Sequence, residues 1–167
     1  MSTPVNPRSN SKLQPLMKLR GAGLRIGIVC ARFNADIGER LLKGAEQALK
    51  DMGVEAKDIL TVTVPGALEI PLALQQLAAS EAFDALVALG CVIKGDTYHF
   101  EVVCNESSAG ITRVGLDLDM AIGNGVLTTF TEEQAIERAE RTGYEAAQTA
   151  VEMVLLQEYI QRQTGQA

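Results

Sequence analysis

From Arg25 onward the chain alternates short apolar runs with amphipathic stretches, and few architectures satisfy that order. The connections are too long for hairpins. Each must cross over as a helix, so the pattern predicts βα units stacked into a parallel sheet with helices on both faces, a three-layer α/β/α fold. Residues 25–31 predict the first strand, and Ile37, Leu41, Ala45, Ala48, Leu49 and Met52 then recur at three- and four-residue steps along one helix face capped by Gly53. Ile59–Val64 predicts the second strand, closed by Pro65-Gly66, and residues 68–79 the next helix. Ala85–Ile93 is apolar throughout, as suits a central strand covered on both sides.

A loop at 94–98 leads into a helix over residues 99–118, and residues 121–127 predict the fourth strand. Thr131-Glu132-Glu133-Gln134 is a capping box opening a helix, while Ala146, Ala147, Ala150, Val151, Val154 and Leu155 form the face of a separate last helix, with a junction at 140–143. The expected result is a flavodoxin-like, four-stranded parallel sheet. It occupies residues 25–167. Residues 1–24 carry Arg8, Lys12, Lys18 and Arg20 without an acid and are broken by Pro4, Pro7, Pro15, Gly21 and Gly23, which predicts a flexible or extended basic arm, either a solvated tail or a docking segment for a neighbouring subunit.

Across the 167 residues, 15 Lys and Arg stand against 21 Asp and Glu, a net charge of −6 that argues against a nucleic-acid backbone as partner. Three cysteines without a C-x-x-C spacing fit reduced thiols rather than a disulfide framework or zinc site, so no metal is expected. The apolar run at Ala85–Ile93 is too short to span a bilayer, and the N-terminus lacks the apolar stretch of a secretory signal; no membrane partner is expected, and the location is read as cytoplasmic.

In an open parallel sheet ligands bind beyond the carboxyl ends of the strands. The unusual residues cluster in those loops: Arg32-Phe33-Asn34, then 65–69, 94–99 and 128–131. His99, the one histidine, stands at a predicted helix start, suited to proton transfer or simply facing solvent. Gly95-Asp96-Thr97 can turn successive N–H groups toward a phosphate, or serve as an ordinary loop before a helix. Phe33 offers a shelf for a flat heterocycle or a hydrophobic staple. Glu69 suits both a helix start and a polyol, and Arg138, two turns into its helix, can reach a phosphate or lie solvated. The first loop lacks the G-x-G-x-x-G of a dinucleotide fold, a P-loop is absent, and no acids end the first strand as in receiver domains.

Taken in order, Arg32-Phe33-Asn34, Pro65-Gly-Ala-Leu-Glu-Ile-Pro71, Gly90-Cys-Val-Ile-Lys-Gly95, Thr97-Tyr-His-Phe100, Asn105-Glu106 and Gly125-Val-Leu-Thr-Thr129 with Glu133-Gln-Ala-Ile-Glu-Arg138 resemble the lumazine synthase family over residues 25–155. The resemblance implies condensation of 5-amino-6-(D-ribitylamino)uracil with 3,4-dihydroxy-2-butanone 4-phosphate, without a cofactor. It implies that Phe33 stacks on the pyrimidine, that Ala67, Leu68, Glu69, Cys91, Val92 and Ile93 line the ring and ribityl pocket, that Asp96 and Thr97 hold the phosphate with Arg138, and that His99 moves protons. Asn124 stands where relatives carry an aromatic or Asn, on the side of the site supplied by a neighbouring subunit.

Homopentamers with sites between subunits follow from the same resemblance; it leaves open twelve pentamers in a capsid-like 60-mer and association with riboflavin synthase. Two departures stand out. The segment at 140–143 is about four residues shorter than the Gly- and Lys-containing stretch of many relatives, so a substrate-side Lys has no counterpart beyond Arg141, and Phe130 replaces a more usual acidic or polar residue. A catalytically weak paralogue that binds flavin or forms shells is the alternative reading.

Overall fold

The computed structural model describes residues 13–166. Four strands, β1 (Ile26–Ala31), β2 (Ile59–Val64), β3 (Ala85–Ile93) and β4 (Ala121–Thr129), form one all-parallel sheet in the order β2-β1-β3-β4. Between and after them run α1 (Ala35–Asp51), α2 (Ile70–Ala79), α3 (His99–Asp117) and α4 (Glu132–Thr164). This is the expected three-layer α/β fold of flavodoxin-like strand order.

Side-chain alternation along the central strands builds the two cores. Ile26, Ile28 and Cys30 of β1, with Ala85, Val87, Leu89 and Cys91 of β3, face α1 and α4. The intervening Val29, Ala31, Leu86 and Ala88 face the other way, against α2 and α3 with Ile70, Leu74 and Ile111. Both strands are buried on both faces, which explains why β3 reads as an unbroken apolar run. β2 is an edge strand, and Leu60 on it is 46% exposed.

The first 12 residues of the predicted arm lie outside the described residues. Its later part meets the domain: Leu19 packs against the α1/α4 core, the Gly21 N–H donates to the Met52 carbonyl at 2.7 Å, and Leu24 is buried.

Three local expectations are corrected. β4 continues to Thr129 because Thr128 and Thr129 pair with Val92 and Ile93, so a polar strand end is held by its neighbour. The helix expected from 68 begins instead as a 3-10 turn over Ala67–Glu69, and α2 proper starts at Ile70 with a proline in its first turn.

The largest correction concerns the C-terminal segment, where the expected junction at 140–143 does not exist. α4 is one helix of 33 residues, about 50 Å long at the standard rise. Thr131 and Gln134 cap it reciprocally, as the sequence predicts. Gly143 sits inside it at the α1 crossing, where a Cβ would run into the Leu41 backbone carbonyl. Reciprocally, a Cβ on Gly44 of α1 would strike the Glu140 carbonyl. The two glycines let the helix backbones touch, so the apparent helix breaker is a packing device.

Candidate active site

The strand order reverses direction between β1 and β3, and that switch point is where an open α/β sheet forms its crevice. A cleft of about 330 Å3 lies there, lined by Phe33 from the β1–α1 loop, residues 65–69 before α2, Cys91, Val92 and Ile93 at the end of β3, and His99, Phe100 and Val103 from the first turns of α3. Eight of the sequence-predicted residues are thereby brought together: Phe33, Ala67, Leu68, Glu69, Cys91, Val92, Ile93 and His99. Pro65, Gly66, Phe100 and Val103 complete the wall.

Phe33 is 71% exposed, so its ring is not a staple buried against α1. Its neighbour Asn34 holds a left-handed conformation (φ 60, ψ 52) and donates its side-chain amide to the Cys91 carbonyl at 3.0 Å. The Glu69 carboxylate folds back toward Gly66, where a Cβ would stand 3.3 Å from Oε2. Gly66 therefore leaves room for that acid at the wall of the cleft. Cys91 is almost fully buried, and burial, followed by the nearby charge of Glu132, pushes its thiol up to about 11. It stays protonated at neutral pH, a wall rather than a nucleophile.

His99 is the first residue of α3 and is exposed. The loop before it carries Asp96 and Thr97 and joins Ile93 to His99, both cleft residues, which puts that loop at the rim. Among the described residues, the N–H groups of Gly95, Asp96 and Thr97 donate to no protein acceptor, whereas that of Lys94 is anchored to the Thr129 carbonyl at 2.9 Å. Free donors just ahead of a long helix suit an anion.

Arg138 is outside the cleft lining, half exposed on α4; its Nη1 donates to the Gln134 carbonyl at 3.0 Å and lies 3.4 Å from Glu137 Oε2. Phe130, the unusual residue before α4, supports the loop opposite. The Lys94 ammonium lies 5.5 Å from its ring centroid, and the Phe100 ring is 6.3 Å away. Asn124 is not brought to this cleft. It lies exposed on β4, accepting the Val126 N–H, beside a separate groove shared with Met153 and Gln157. No cluster of metal-ligating side chains occurs among the described residues, and no described helix is long and apolar enough to cross a membrane.

Comparison with known proteins gives one answer. The family model described as 6,7-dimethyl-8-ribityllumazine synthase matches residues 23–158. Proteins of that name from Ralstonia pickettii and Cupriavidus pinatubonensis are each 59% identical over 138 residues, covering 83% of this chain and 83% of their own. One from Burkholderia mallei is also 59% identical over 138 residues, covering 83% of this chain and 80% of its own. With four of the six ordered motifs meeting at one cleft and an identity of this order over most of its length, the chain belongs to the 6,7-dimethyl-8-ribityllumazine synthase family.

Proposed function

We propose that this chain condenses 5-amino-6-(D-ribitylamino)uracil with 3,4-dihydroxy-2-butanone 4-phosphate to give 6,7-dimethyl-8-ribityllumazine, phosphate and water, the penultimate step of riboflavin biosynthesis. The observation that carries the reading is the convergence of an exposed aromatic shelf, an acid and a histidine on one cleft at the switch point of a chain of this family.

The chemistry asks little of the protein's own nucleophiles, because the aminouracil brings its amine. That amine attacks the ketone and water leaves to form an imine; phosphate is then eliminated, and ring closure expels the second water. Phe33 stacks on the pyrimidine while Ala67, Leu68, Glu69, Cys91, Val92 and Ile93 enclose the ring and ribityl chain. The free N–H groups at Asp96 and Thr97 hold the phosphate, joined by Arg138 once it leaves Glu137, a surface pair worth little. His99 donates and accepts protons at the rim. Orientation and proton transfer together account for the acceleration.

The site is completed by a neighbouring copy that contributes Asn124, in a homopentamer acting in the cytoplasm. The exposed edge of β2 suits an added strand from a neighbour's arm. Assembly of twelve pentamers and association with riboflavin synthase are further parts of the proposal. The test is the rate of lumazine formation, followed by absorbance, against the uncatalysed condensation of the same reactants. Acceleration supports the reading; a fully assembled protein that gives none overturns it in favour of a binding or shell-forming role.

A further inference from the structure

β3 outlasts β1. Their pairing stops at Cys30 opposite Leu89, while β3 continues from Gly90 to Ile93 beside β4 alone. Past Ala31 the chain leans toward β2 instead: the Arg32 N–H donates to the Val64 carbonyl at 2.8 Å, the Phe33 N–H to the Pro65 carbonyl at 3.1 Å, and the Arg32 guanidinium to the Thr63 hydroxyl at 2.9 Å. The crevice between β1 and β3 is the space left by this divergence.

One side chain spans it. The Asn34 amide reaches the Cys91 carbonyl, a backbone acceptor on the margin of β3 that β1 has abandoned, across 57 residues of sequence. The same residue adopts the left-handed conformation, which Asn tolerates better than most side chains, and its own carbonyl accepts the N–H groups of Ile37 and Gly38 to start α1. Phe33 beside it has no comparable anchor in its own side chain, since most of its surface faces solvent.

We propose that Asn34 is a positioning residue that sets the width of the slot between the Phe33 ring and the Cys91–Ile93 wall, so that the slot stands preformed for one flat heterocycle. The proposal rests on the reading of Phe33 as the ring-stacking residue. It makes the Asn34–Cys91 bond a strut whose value is realised on binding, through a shelf that needs no ordering when the ring arrives.

The experiment titrates purified 6,7-dimethyl-8-ribityllumazine into the full-length, assembled protein and reads the quenching of its fluorescence. Asn34→Gly removes the strut while keeping the backbone free to hold a positive φ. It is expected to weaken binding about tenfold with the melting temperature unchanged. Asn34→Asp, which sets an acceptor against the carbonyl, is expected to do the same and stands in should the glycine variant fail to fold. In a Phe33→Ala background the Asn34→Gly effect should shrink to less than about twofold, because a residue acting through Phe33 has nothing left to position. Wild-type affinity in Asn34→Gly, or an undiminished effect in the Phe33→Ala background, overturns the proposal. Failure of the wild-type protein to bind the lumazine removes instead the functional reading beneath it.

Discussion

The Tyr144 hydroxyl donates to the Asp51 carboxylate at 2.8 Å, tying the last turn of α1 to the middle of α4 across 93 residues of sequence. With Gln47 donating to the same carboxylate, this bond holds the Asp51 carboxyl below its usual range, and the same hydrogen bond, helped by partial burial and the Asp51 charge, holds the Tyr144 phenol above its own. A depressed acid contributes stability above its unfolded value and loses it as pH falls through the folded one. A raised phenol contributes below its unfolded value and loses it as pH rises through the folded one. The difference in melting temperature between the wild type and Tyr144→Phe should therefore be flat from about pH 5 to 9 and shrink on both sides. Thermal melts of both proteins across that range check it, and a difference that grows at either extreme refutes it.

The helix crossing nearby is more demanding. Gly143→Ala and Gly44→Ala each place a methyl against a backbone carbonyl that cannot rotate away. Helix propensity alone predicts a gain of about 1 kcal/mol from either change. Overpacking should reverse the sign and cost about 1–3 kcal/mol, measured by urea denaturation. A stabilised variant would show that the two helices separate freely.

His99→Ala should lower turnover by about 10²- to 10⁴-fold, the usual worth of a positioned proton carrier, with assembly and melting unchanged. Steady-state rates decide this, and unaltered turnover removes His99 from the mechanism.

Arg138→Ala should raise the apparent KM for the butanone phosphate and leave that for the aminouracil within about twofold, since the lost contact is to the phosphate alone. Equal effects on both substrates would assign Arg138 to the scaffold.

Cys91 should resist iodoacetamide at neutral pH, because a thiol raised to about 11 holds almost no thiolate there. Peptide mass spectrometry after labelling at increasing pH is the check. Rapid modification near pH 7 would contradict the buried position.

The sheet was legible because β3 is covered on both faces and β2 is bounded by turn residues; in both, the apolar pattern and the strand share their limits. The end of β4 was not, because Thr128 and Thr129 are strand only through what β3 offers them. Continuity through Gly143 was equally hidden, since the same residue breaks a solvated helix and serves a crowded one. Within the site, the topology rule located the loops, and residue chemistry singled out Phe33, Glu69 and His99. Asn34 was quoted only as part of a motif, because its partner is a backbone carbonyl far along the chain, which carries no side-chain signature. Asp96, Thr97, Asn124 and Arg138 lie outside the lining of the single-chain cleft; residue chemistry pointed Asp96, Thr97 and Arg138 toward a phosphate, whereas the role of Asn124 rests on the resemblance alone.

The unequal reach of β1 and β3 places the cleft beyond the sheet's double-sided packing instead of inside it. Apart from Cys91 and Ala67, its wall is built from residues outside the two fully buried layers. Heritable variation in the three loops can therefore reshape recognition while melting behaviour stays constant, and variation at the helix crossing can alter melting behaviour while recognition stays constant. A lineage with this scaffold can explore new ligands without first acquiring a sturdier fold.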